Sequence, residues 1–360
     1  MQTQLLIDGE WRDGADRFDV ENPATETVIA SVAAGSPAHA TEACEAAANA
    51  QGAWAATAPR ERGEILRRTW QLMVEHTDEL ARLITLEHGK PLADARCEVT
   101  YAAEFFRWNS EEAVRIQGSL GTAPAGTNRI VVHHPPVGVV VIVTPCNFPA
   151  AMITRKLAPA LAAGNAAVIK PPREAPLTAL RIGELLHEAG LPAGVVNIVP
   201  TLSSGEWFDA AVDHPATRMV SFTGSTEVGI VLLKRAADRV LKTVMELGGN
   251  APFIVFDDAD LEAAVQGAMV AKMRHSAETC TAANRFFVHA AVADEFTRMF
   301  AAAMSDVRVG NGLDDGVTCG PMINAKAVTS INELVTAAAD HGATIATGGG
   351  AVDGPGHFYP

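Results

Sequence analysis

The fold of the surrounding domain is predicted from residues 138–170, which read GVVVIVTPCNFPAAMITRKLAPALAAGNAAVIK. Residues 139–144 and 166–170 are short, uninterrupted apolar runs, and residues 150–163 between them have a helical pattern that stops at Gly164. Strands that are buried on both faces of a parallel sheet have continuous apolar runs of this kind, whereas strands with one solvated face alternate. The stretch therefore predicts a strand–helix–strand unit of an α/β domain.

The alternation of strands and helices continues downstream. Further strands are predicted at 195–199, 219–223 and 243–246, and helices at 177–189, 204–212 and 225–237. A parallel sheet binds its ligands at the carboxyl ends of its strands. Three loops that follow predicted strands are therefore the expected ligand-binding loops: 144–149, 170–174 and 223–229.

Two further regions complete the predicted architecture. Residues 118–136 are turn-rich, then β-rich, and end in two prolines, which indicates an arm that leaves the domain. After Gly248-Gly249 a second alternation begins, with strands at 252–256 and 286–289 and helices at 261–276, 291–303 and near 327–341. We therefore expect a dinucleotide-binding domain at 1–117 and 137–247, an oligomerisation arm at 118–136, and an incomplete catalytic domain at 248–360.

Composition argues against several classes of function. The net charge of −14 argues against broad nucleic-acid binding, which needs a basic face. No apolar run approaches the ~20 residues of a membrane span, and the start, MQTQLLIDGEWRDG, lacks the basic and apolar segments of a signal peptide. The 5 cysteines are scattered and never spaced CxxC. We therefore expect neither a disulfide framework nor a metal site, and a reducing, cytoplasmic location.

Several polar residues lie at the ends of predicted strands. The sequence Gly224-Ser-Thr-Glu-Val-Gly229 opens a helix, so its N–H groups would cradle a phosphate, although a plain tight turn has the same pattern. Lys170 ends a buried strand, where a lysine reaches a ribose or phosphate, or simply extends to water. Asn147 precedes a helix and would either donate to an oxyanion or form a turn.

A carboxylate and a thiol lie near the start of the second alternation. Glu246 ends a predicted strand, and Cys280 lies in a loop of small residues after a predicted helix. A cysteine nucleophile and a carboxylate base are the pair that two-step acyl chemistry needs. Most free cysteines are instead inert and buried, and we expect this of Cys44 and Cys97.

Taken in order, the motifs TPCNFPA, VIKPP, FTGSTEVG, MELGGN and TCTAANR resemble the aldehyde dehydrogenase superfamily, and the resemblance covers the whole chain. It implies a Rossmann-type parallel-sheet cofactor domain, a second α/β catalytic domain and a protruding β arm. It makes Cys280 the nucleophile, Glu246 the general base and Asn147 the oxyanion donor. It implies NAD or NADP but no metal, with the dinucleotide held by Thr144, Cys146, Asn147, Lys170, Arg173, Gly224, Ser225, Gly229 and Leu247.

The reaction that the resemblance implies has two steps. The Cys280 thiolate attacks the aldehyde carbon, a hydride leaves to the nicotinamide, and a thioester remains. Glu246 then activates the water that hydrolyses the thioester. A base at this position favours hydrolysis over transfer of the acyl group to coenzyme A.

Two arginines indicate a carboxylated aldehyde. Arg155 lies eight residues after Asn147, about two helical turns along the same helix, and Arg274 lies six residues before Cys280. Both surroundings resemble succinate-semialdehyde dehydrogenases, whose corresponding arginines grip the substrate carboxylate, and a guanidinium fork suits that group. Succinate semialdehyde is the expected substrate. Glutarate semialdehyde fits the same pair, and a structural ion pair at either arginine, or a broad-specificity enzyme, is the alternative.

The sequence departs from the family at three positions. Cys146 stands where tryptophan commonly precedes the asparagine, and Ala282 replaces a second cysteine, so no redox-sensitive disulfide is expected there. Arg173 replaces a glutamate that binds the adenosine ribose in NAD-preferring members. Because an arginine favours a 2′-phosphate, we expect NADP to be accepted, although Glu174 could restore the ribose contact.

Family members also continue well beyond residue 360, with a further glutamate for the nicotinamide ribose and part of the substrate pocket. The sequence is therefore expected to be a partial record of a longer protein or a truncated product. A truncated, non-catalytic scaffold that still binds nucleotide is the alternative function. The arm at 118–136 is expected to join copies of the chain into a homo-oligomer, a dimer or a tetramer.

Overall fold

The computed structural model of the chain describes residues 1–14, 16–352 and 354–360. The chain groups into two compact units. The first unit comprises Met1–Phe18, Ser31–Thr77 and Glu98–Glu246, and the second comprises Asp19–Ala30, Asp78–Cys97 and Leu247–Pro360. The sequence assigned residues 19–30 and 78–97 to the dinucleotide-binding domain, whereas the structure groups them with the second unit. The assignment of a function to each unit stays a proposal.

Strands and helices follow one another along nearly the whole chain. The strands are β1 (Leu5–Ile7), β2 (Glu10–Arg12), β3 (Asp16–Asn22), β4 (Thr27–Ala34), β5 (Ser119–Thr122), β6 (Arg129–Val132), β7 (Val139–Val143), β8 (Ala166–Lys170), β9 (Val196–Ile198), β10 (Thr217–Gly224), β11 (Lys242–Leu247), β12 (Ala251–Val255) and β13 (Ala283–Val288). The helices are α1 (Pro37–Ala56), α2 (Pro59–Glu75), α3 (Thr77–His88), α4 (Leu92–Glu112), α5 (Ala151–Ala162), α6 (Leu177–Glu188), α7 (Ser204–Asp213), α8 (Thr226–Ala237), α9 (Leu261–Met273), α10 (Ala293–Ser305) and α11 (Ala325–Asp340).

The first unit is built on a seven-stranded sheet with the strand order β11-β10-β7-β8-β9-β1-β2. Strands β10, β7, β8 and β9 run parallel. Every residue of β7 and β8 is buried, which confirms the prediction from their continuous apolar runs. Because the strands are parallel, the loops that follow β7, β8 and β10 lie at the same edge of the sheet.

The hairpin of β1 and β2 extends this sheet in the antiparallel direction. Leu6 pairs with Ile198 of β9. The turn residues Asp8 and Gly9 have φ angles of 55° and 76°, as a two-residue hairpin turn requires. The Asp-Gly pair predicts the turn, but the pairing with β9 joins distant parts of the chain and has no local signal.

Helix boundaries follow local signals in the sequence. Ser36 caps α1, since its hydroxyl accepts from the backbone N–H of His39 and Pro37 takes the first position. Helix α4 ends at Glu112, since the apolar residues that follow, Val114 and Ile116, are exposed and packing does not extend the helix. Helix α9 ends at Met273 rather than 276, because the backbone then turns left-handed.

The second unit contains the parallel pair β12–β13. Its buried core joins Val255 of β12, Val265 and Ala268 of α9, and Phe296 of α10. Phe286 of β13 packs against this core, with its ring centroid 6.4 Å from that of Phe296. The strand–helix–strand–helix order of this unit follows the second alternation seen in the sequence.

One expectation about burial along α4, that Cys97 is inert and buried, was wrong. Of the aromatic residues there, Phe106 is buried, but Tyr101 and Trp108 are exposed. Cys97 is also exposed, whereas Cys44 is buried as expected. The spacing of Cys97, Tyr101 and Trp108 places them on one face of the helix, and that face is turned away from the core.

Residues 119–132 form the predicted arm. Strands β5 and β6 pair in antiparallel fashion, from Ser119 opposite Val132 to Thr122 opposite Arg129, and every residue in both strands is exposed. Leu120 and Val131 are among the large apolar side chains on its surface. Within the described ranges, no helix combines the length and apolar character that a membrane crossing requires.

Candidate active site

The carboxyl ends of β7, β8 and β10 adjoin a cavity of about 470 Å³ in the first unit. Four predicted cofactor residues line it: Thr144, Lys170, Gly224 and Ser225. Much of its remaining wall is apolar and comes from α7 and α8, through Phe208, Val228, Val231 and Leu232. A cavity with apolar walls and a few polar groups at strand ends suits an aromatic base joined to phosphates.

Ser225 fixes the start of α8 beside this cavity. Its hydroxyl accepts a hydrogen bond of 3.3 Å from the N–H of Val228, as an N-cap residue does. The helix dipole makes this end attractive to an anion. A Cβ on Gly224 would lie 2.3 Å from the Phe222 ring, so a side chain there would displace that ring. Gly229 is buried in the first turns of the helix.

Two threonine hydroxyls at this edge show how the cavity fits a dinucleotide. The Oγ1 atoms of Thr144 and Thr223 are buried, and neither forms a hydrogen bond with a residue that the structure describes. Buried hydroxyls are normally satisfied, and both threonines line the cavity. The ribose and phosphate oxygens of a dinucleotide would supply partners of the required kind, so these residues fit NAD(P).

Lys170 brings a buried ammonium to the same wall. Its Nζ donates to the carbonyl oxygen of Pro171 at 3.2 Å. Burial lowers the pKa of Lys170, while the nearby carboxylate of Glu174 acts in the opposite direction. An additional hydrogen-bond acceptor would stabilise this buried ammonium, and a ribose hydroxyl or a phosphate would provide one.

The other predicted cofactor residues have different environments. Cys146 and Asn147 are half-buried in the loop after β7, and Leu247 is the last residue of β11. Arg173 is exposed in the loop after β8. The structure therefore places Arg173 at the correct sheet edge but outside the residues that line the cavity.

A second cavity of the first unit, about 330 Å³, brings together two residues that were predicted from separate motifs. Arg155 of α5 and Glu246 of β11 both line it. Lys156 also lines this cavity. A carboxylate and two cationic groups thus share one space, which is the arrangement that an anionic substrate and a general base would need.

Lys156 is the functional candidate that the sequence did not reveal. It is buried, and its Nζ donates to Ser221 Oγ at 3.2 Å and to the Phe222 carbonyl at 3.1 Å. Burial lowers its pKa to about 8, although Glu246 raises it and Arg155 lowers it further. The one signal is a lysine beside Arg155 in a largely apolar helix, and such lysines usually extend to water.

Arg155 is supported by an aromatic pair on α4. Its guanidinium carbon lies 5.9 Å from the centroid of the Phe105 ring, within cation–π range. Tyr101 packs edge-on against Phe105, with centroids 4.9 Å apart. The two rings restrict where the Arg155 guanidinium can move. Their expected role is therefore to position Arg155 rather than to fill the buried core.

Cys280 lies in the second unit, in a loop between α9 and β13. The loop begins at Arg274, the C-cap of α9, and continues with His275, Ser276 and Ala277, whose φ angles are 52°, 56° and 65°. Left-handed backbone costs about 1–3 kcal/mol for a residue other than glycine. Cys280 itself is exposed, as a nucleophile that must meet a substrate should be.

The position of this loop is also limited by the Gly248-Gly249 sequence. A Cβ on Gly249 would lie 3.0 Å from the carbonyl oxygen of Cys280. The glycine thus permits a close approach of the two backbones. Arg274 is exposed at the start of the loop. Among the described residues, no group of three or more histidine, cysteine, aspartate or glutamate side chains is arranged to hold a metal ion.

The class of protein follows from a comparison with known families. The model of the aldehyde dehydrogenase family matches residues 11–360. The chain therefore belongs to the aldehyde dehydrogenase family. The fold and the family define an oxidoreductase that oxidises an aldehyde with NAD(P)+.

Curated relatives are similar over most of the chain. A succinate-semialdehyde dehydrogenase of Paenarthrobacter nicotinovorans is 53% identical over 92% of this chain and 74% of its own length. The NADP(+) succinate-semialdehyde dehydrogenase of Escherichia coli K12 is 46% identical over 99% of this chain and 74% of its own. A glutarate-semialdehyde dehydrogenase of Pseudomonas putida is 46% identical over 98% of this chain and 73% of its own.

Solved structures show the same fold. The crystal structure of an NADP-dependent enzyme of E. coli has a TM-score of 0.97 at 46% identity, over 100% of this chain and 75% of that one. The succinate-semialdehyde dehydrogenase of Burkholderia pseudomallei has a TM-score of 0.97 at 43% identity, with the same coverage of 100% and 75%. These values confirm the predicted aldehyde dehydrogenase-like α/β fold.

Proposed function

We propose that the chain oxidises succinate semialdehyde to succinate with NAD(P)+. The observation that supports the proposal most directly is the cavity that Arg155 and Glu246 both line, because it brings a guanidinium and a carboxylate into one space. The relatives named above support it, because two of them are named for succinate semialdehyde. A broad-specificity enzyme would have no need of an arginine held in place by an aromatic ring.

In the proposed mechanism the Cys280 thiolate attacks the aldehyde carbon, and the oxygen takes up the negative charge. The side-chain amide of Asn147 and the backbone N–H of Cys280 stabilise this oxyanion. When bound, the oxidised nicotinamide supplies the hydride acceptor. Loss of hydride leaves an acyl group on the Cys280 sulfur as a thioester.

The second step releases the acid. Glu246 takes a proton from water, the hydroxide attacks the thioester carbon, and the C–S bond breaks to regenerate the Cys280 thiolate. Lys156 lines the same cavity as Glu246, and the carboxylate of Glu246 acts to raise the pKa of Lys156 against the effect of burial.

Substrate selection is assigned to the two arginines. Arg155 and Arg274 would bind the carboxylate at the far end of the aldehyde, through charge-assisted hydrogen bonds. Glutarate semialdehyde is a second candidate, since it differs by one methylene and a relative named for it is 46% identical. One methylene changes binding by only about 1–3 kcal/mol in an apolar pocket, so both substrates are expected to turn over.

For the cofactor we propose that NADP is preferred. Arg173 is exposed at the edge of the sheet where the adenosine ribose would lie, and a guanidinium binds a 2′-phosphate. The similarity to an E. coli enzyme named for NADP(+) supports this assignment. Lys170, Ser225 and the first turn of α8 would hold the rest of the dinucleotide.

Steady-state formation of NAD(P)H at an absorbance wavelength near 340 nm tests the proposal directly. Succinate semialdehyde and hexanal are compared, each with NAD+ and with NADP+. We expect a kcat/KM advantage of roughly 100-fold or more for the semialdehyde, the value of a well-placed charged contact. Equal values for the two aldehydes would show that no carboxylate is recognised.

A pair of variants tests the nucleophile. Cys280→Ala should abolish oxidation, whereas Cys97→Ala, which removes another exposed thiol, should leave it unchanged. Undiminished turnover by Cys280→Ala would remove Cys280 from the mechanism. If the chain is instead a scaffold without catalytic activity, both variants should bind NADP and neither should oxidise the aldehyde.

We also propose that the arm formed by β5 and β6 joins copies of the chain into a dimer or tetramer. Its exposed apolar side chains, such as Leu120 and Val131, support this. Light scattering should give a mass that is a multiple of 37.8 kDa. Replacement of both residues by lysine should lower that mass, and an unchanged mass would place the contact elsewhere.

A further inference from the structure

A buried histidine contacts the loop of the nucleophile from a distant part of the second unit. The Nε2 atom of His88 lies 2.7 Å from Oε2 of Glu278, and the two side chains are 1% and 15% exposed. His88 is the last residue of α3, whereas Glu278 precedes Cys280 by two positions. The pair therefore connects α3 to the loop that carries the thiol.

The loop is held at several further points around its left-handed turn. The hydroxyl oxygen of Ser276 accepts a hydrogen bond of 2.9 Å from the N–H of Gly320. The hydroxyl of Thr279 donates to the Arg274 carbonyl at 3.1 Å. The carboxylate of Asp94 accepts from the backbone N–H of His275. Glu278 is the member of this set whose side chain reaches α3.

The segment that carries His88 is itself fixed. The N–H of Leu92 donates to the Gly312 carbonyl at 2.9 Å. A Cβ on Gly320 would lie 2.2 Å from the carbonyl oxygen of Gly89, so the two backbones are in direct contact. A histidine on such a segment cannot follow the loop if the loop moves, and it therefore acts as a fixed point.

Charged and titratable groups surround the pair from each side. Lys90 and Asp94 belong to the segment of His88, Arg274 and His275 belong to the loop, and Cys319 lies beside the turn. Burial, together with Lys90 and Arg274, lowers the pKa of His275 to about 3, so His275 is neutral near pH 7. Burial also raises the pKa of the Cys319 thiol.

We propose that His88 is a positioning residue for the reaction: through its contact with Glu278 it holds the loop at 275–279 in the conformation that presents Cys280 to the substrate. This rests on the proposed role of Cys280 as nucleophile. No local pattern indicates this role, because His88 and Cys280 lie far apart along the chain and a single histidine at a helix end is common.

The test compares His88→Gln with His214→Gln. His214 is the matched control, since it is also buried and also contacts a glutamate, with Nε2 3.2 Å from Oε2 of Glu45 in the first unit. The rate of alkylation of Cys280 by iodoacetamide is followed by peptide mass spectrometry between about pH 6 and 9. The exposed Cys97 serves as the reference thiol in the same molecule. The kcat and KM are measured in parallel.

For His88→Gln we expect kcat to fall roughly 10- to 100-fold, the effect of a small displacement of a reacting group. The pH profile of Cys280 alkylation should change, that of Cys97 should not, and the KM for NADP should stay within about twofold. His214→Gln should lower the melting temperature and leave kcat and both alkylation rates unchanged. Two substitutions in one contact are not additive, so His88→Gln combined with Glu278→Gln should be no worse than His88→Gln alone.

The proposal is overturned if His88→Gln lowers only the melting temperature, as His214→Gln does. If His88→Gln does not fold, Glu278→Gln decides, because it keeps the size of the side chain and removes its charge. A fall in kcat of about threefold or more, with altered Cys280 alkylation, supports the proposal, and unchanged values refute it. Activity that survives in Cys280→Ala would refute the nucleophile instead, and the alkylation rates would still report whether His88 holds the loop.

Discussion

The carboxylate of Glu98 accepts a hydrogen bond of 2.9 Å from the backbone N–H of Ala150, across 52 residues of sequence. The same oxygen accepts from the N–H of Ala151 at 3.2 Å. Glu98 is fully buried on α4, and Ala150 is the N-cap of α5. A negative charge thus satisfies the first N–H groups of the helix that follows Asn147 and carries Arg155.

Replacement of Glu98 by alanine should destabilise the protein by about 2–3 kcal/mol, because buried N–H groups lose their acceptor. The activity should fall as well, since the start of α5 sets the position of Asn147. Urea unfolding measures the first effect and kcat the second. Glu64→Ala is the control, because Glu64 forms an exposed pair with Arg67. The control should change stability by less than about 0.5 kcal/mol, and an equal loss in both variants would argue against the capping role.

The buried ammonium of Lys156 should make stability rise with pH. Its pKa is lowered from 10.5 to about 8 in the folded protein, so the unfolded chain binds more protons between these values. The contribution of this group to stability is unfavourable below about pH 8, and the penalty disappears as the pH approaches 10.5.

Lys156→Met removes that titration. The unfolding free energy of the wild-type protein, minus that of Lys156→Met, should therefore increase by roughly 2 kcal/mol between these pH values. Lys234→Met, at an exposed position of α8, is the control and should show no such change. A constant difference across the pH range would mean that Lys156 does not titrate there.

Removal of both arginines should separate charged from uncharged substrates. Arg155→Ala with Arg274→Ala should raise the KM for succinate semialdehyde by roughly 100-fold and that for hexanal by less than about threefold. Phe105→Leu, which removes the ring beneath Arg155, should have a smaller effect of the same kind. An equal rise in both KM values would mean that the arginines support the fold and not the substrate.

The exposed Arg173 should control the choice of cofactor. Arg173→Glu should shift the ratio of kcat/KM values for NADP and NAD toward NAD by roughly 10-fold or more, because a carboxylate repels the 2′-phosphate and accepts from ribose hydroxyls. Arg60→Glu carries the same charge change at an exposed site of α2 and should leave the ratio unaltered. An unaltered ratio in Arg173→Glu would show that the phosphate contacts another group.

The hydroxyl of Thr223 should matter to the ligand more than to the fold. Thr223→Val removes a buried hydroxyl that has no partner in the described residues, so the free protein should become about 1 kcal/mol more stable while the Kd for NADP rises. Thr217→Val on the same strand should have the opposite effect on stability, since Thr217 donates to the Ala211 carbonyl at 2.6 Å. Stability changes of the same sign would contradict the assigned role.

The parts of the fold that the sequence predicts are those with local causes. Continuous apolar runs identify β7 and β8 as buried parallel strands, and Ser36-Pro37 marks the start of α1. The pairing of Leu6 with Ile198 has no local cause, and the sequence does not report it. The same is true of the left-handed turn after α9, since left-handed backbone is usually marked by glycine or asparagine and here the residues are His275, Ser276 and Ala277.

The residues of the candidate site also fall into two groups: those predicted from sequence motifs and those that only the structure identifies. The catalytic roles of Cys280, Glu246 and Asn147 are predicted from the sequence because their motifs follow the order that the family has, and these roles stay predictions. Lys156 and His88 were missed because only tertiary packing distinguishes them from an ordinary surface lysine and an ordinary helix end. For both, the chemistry depends on burial, which a single sequence does not show.

Because the second unit is discontinuous in sequence, the ribosome makes its segments at different times. Cys97 and Leu247, where two of its segments meet the first unit, are separated by 150 positions. At about 5–20 residues per second, the ribosome needs roughly 8–30 s to make that interval. The contact of Gly89 with Gly320 forms later still, because Gly320 is made after Leu247. In the nascent chain, the contact of His88 with Glu278 and that of Gly89 with Gly320 therefore form only after the whole first unit has been made. Closure of the long loop between these segments is thus a step that must precede the positioning of the nucleophile.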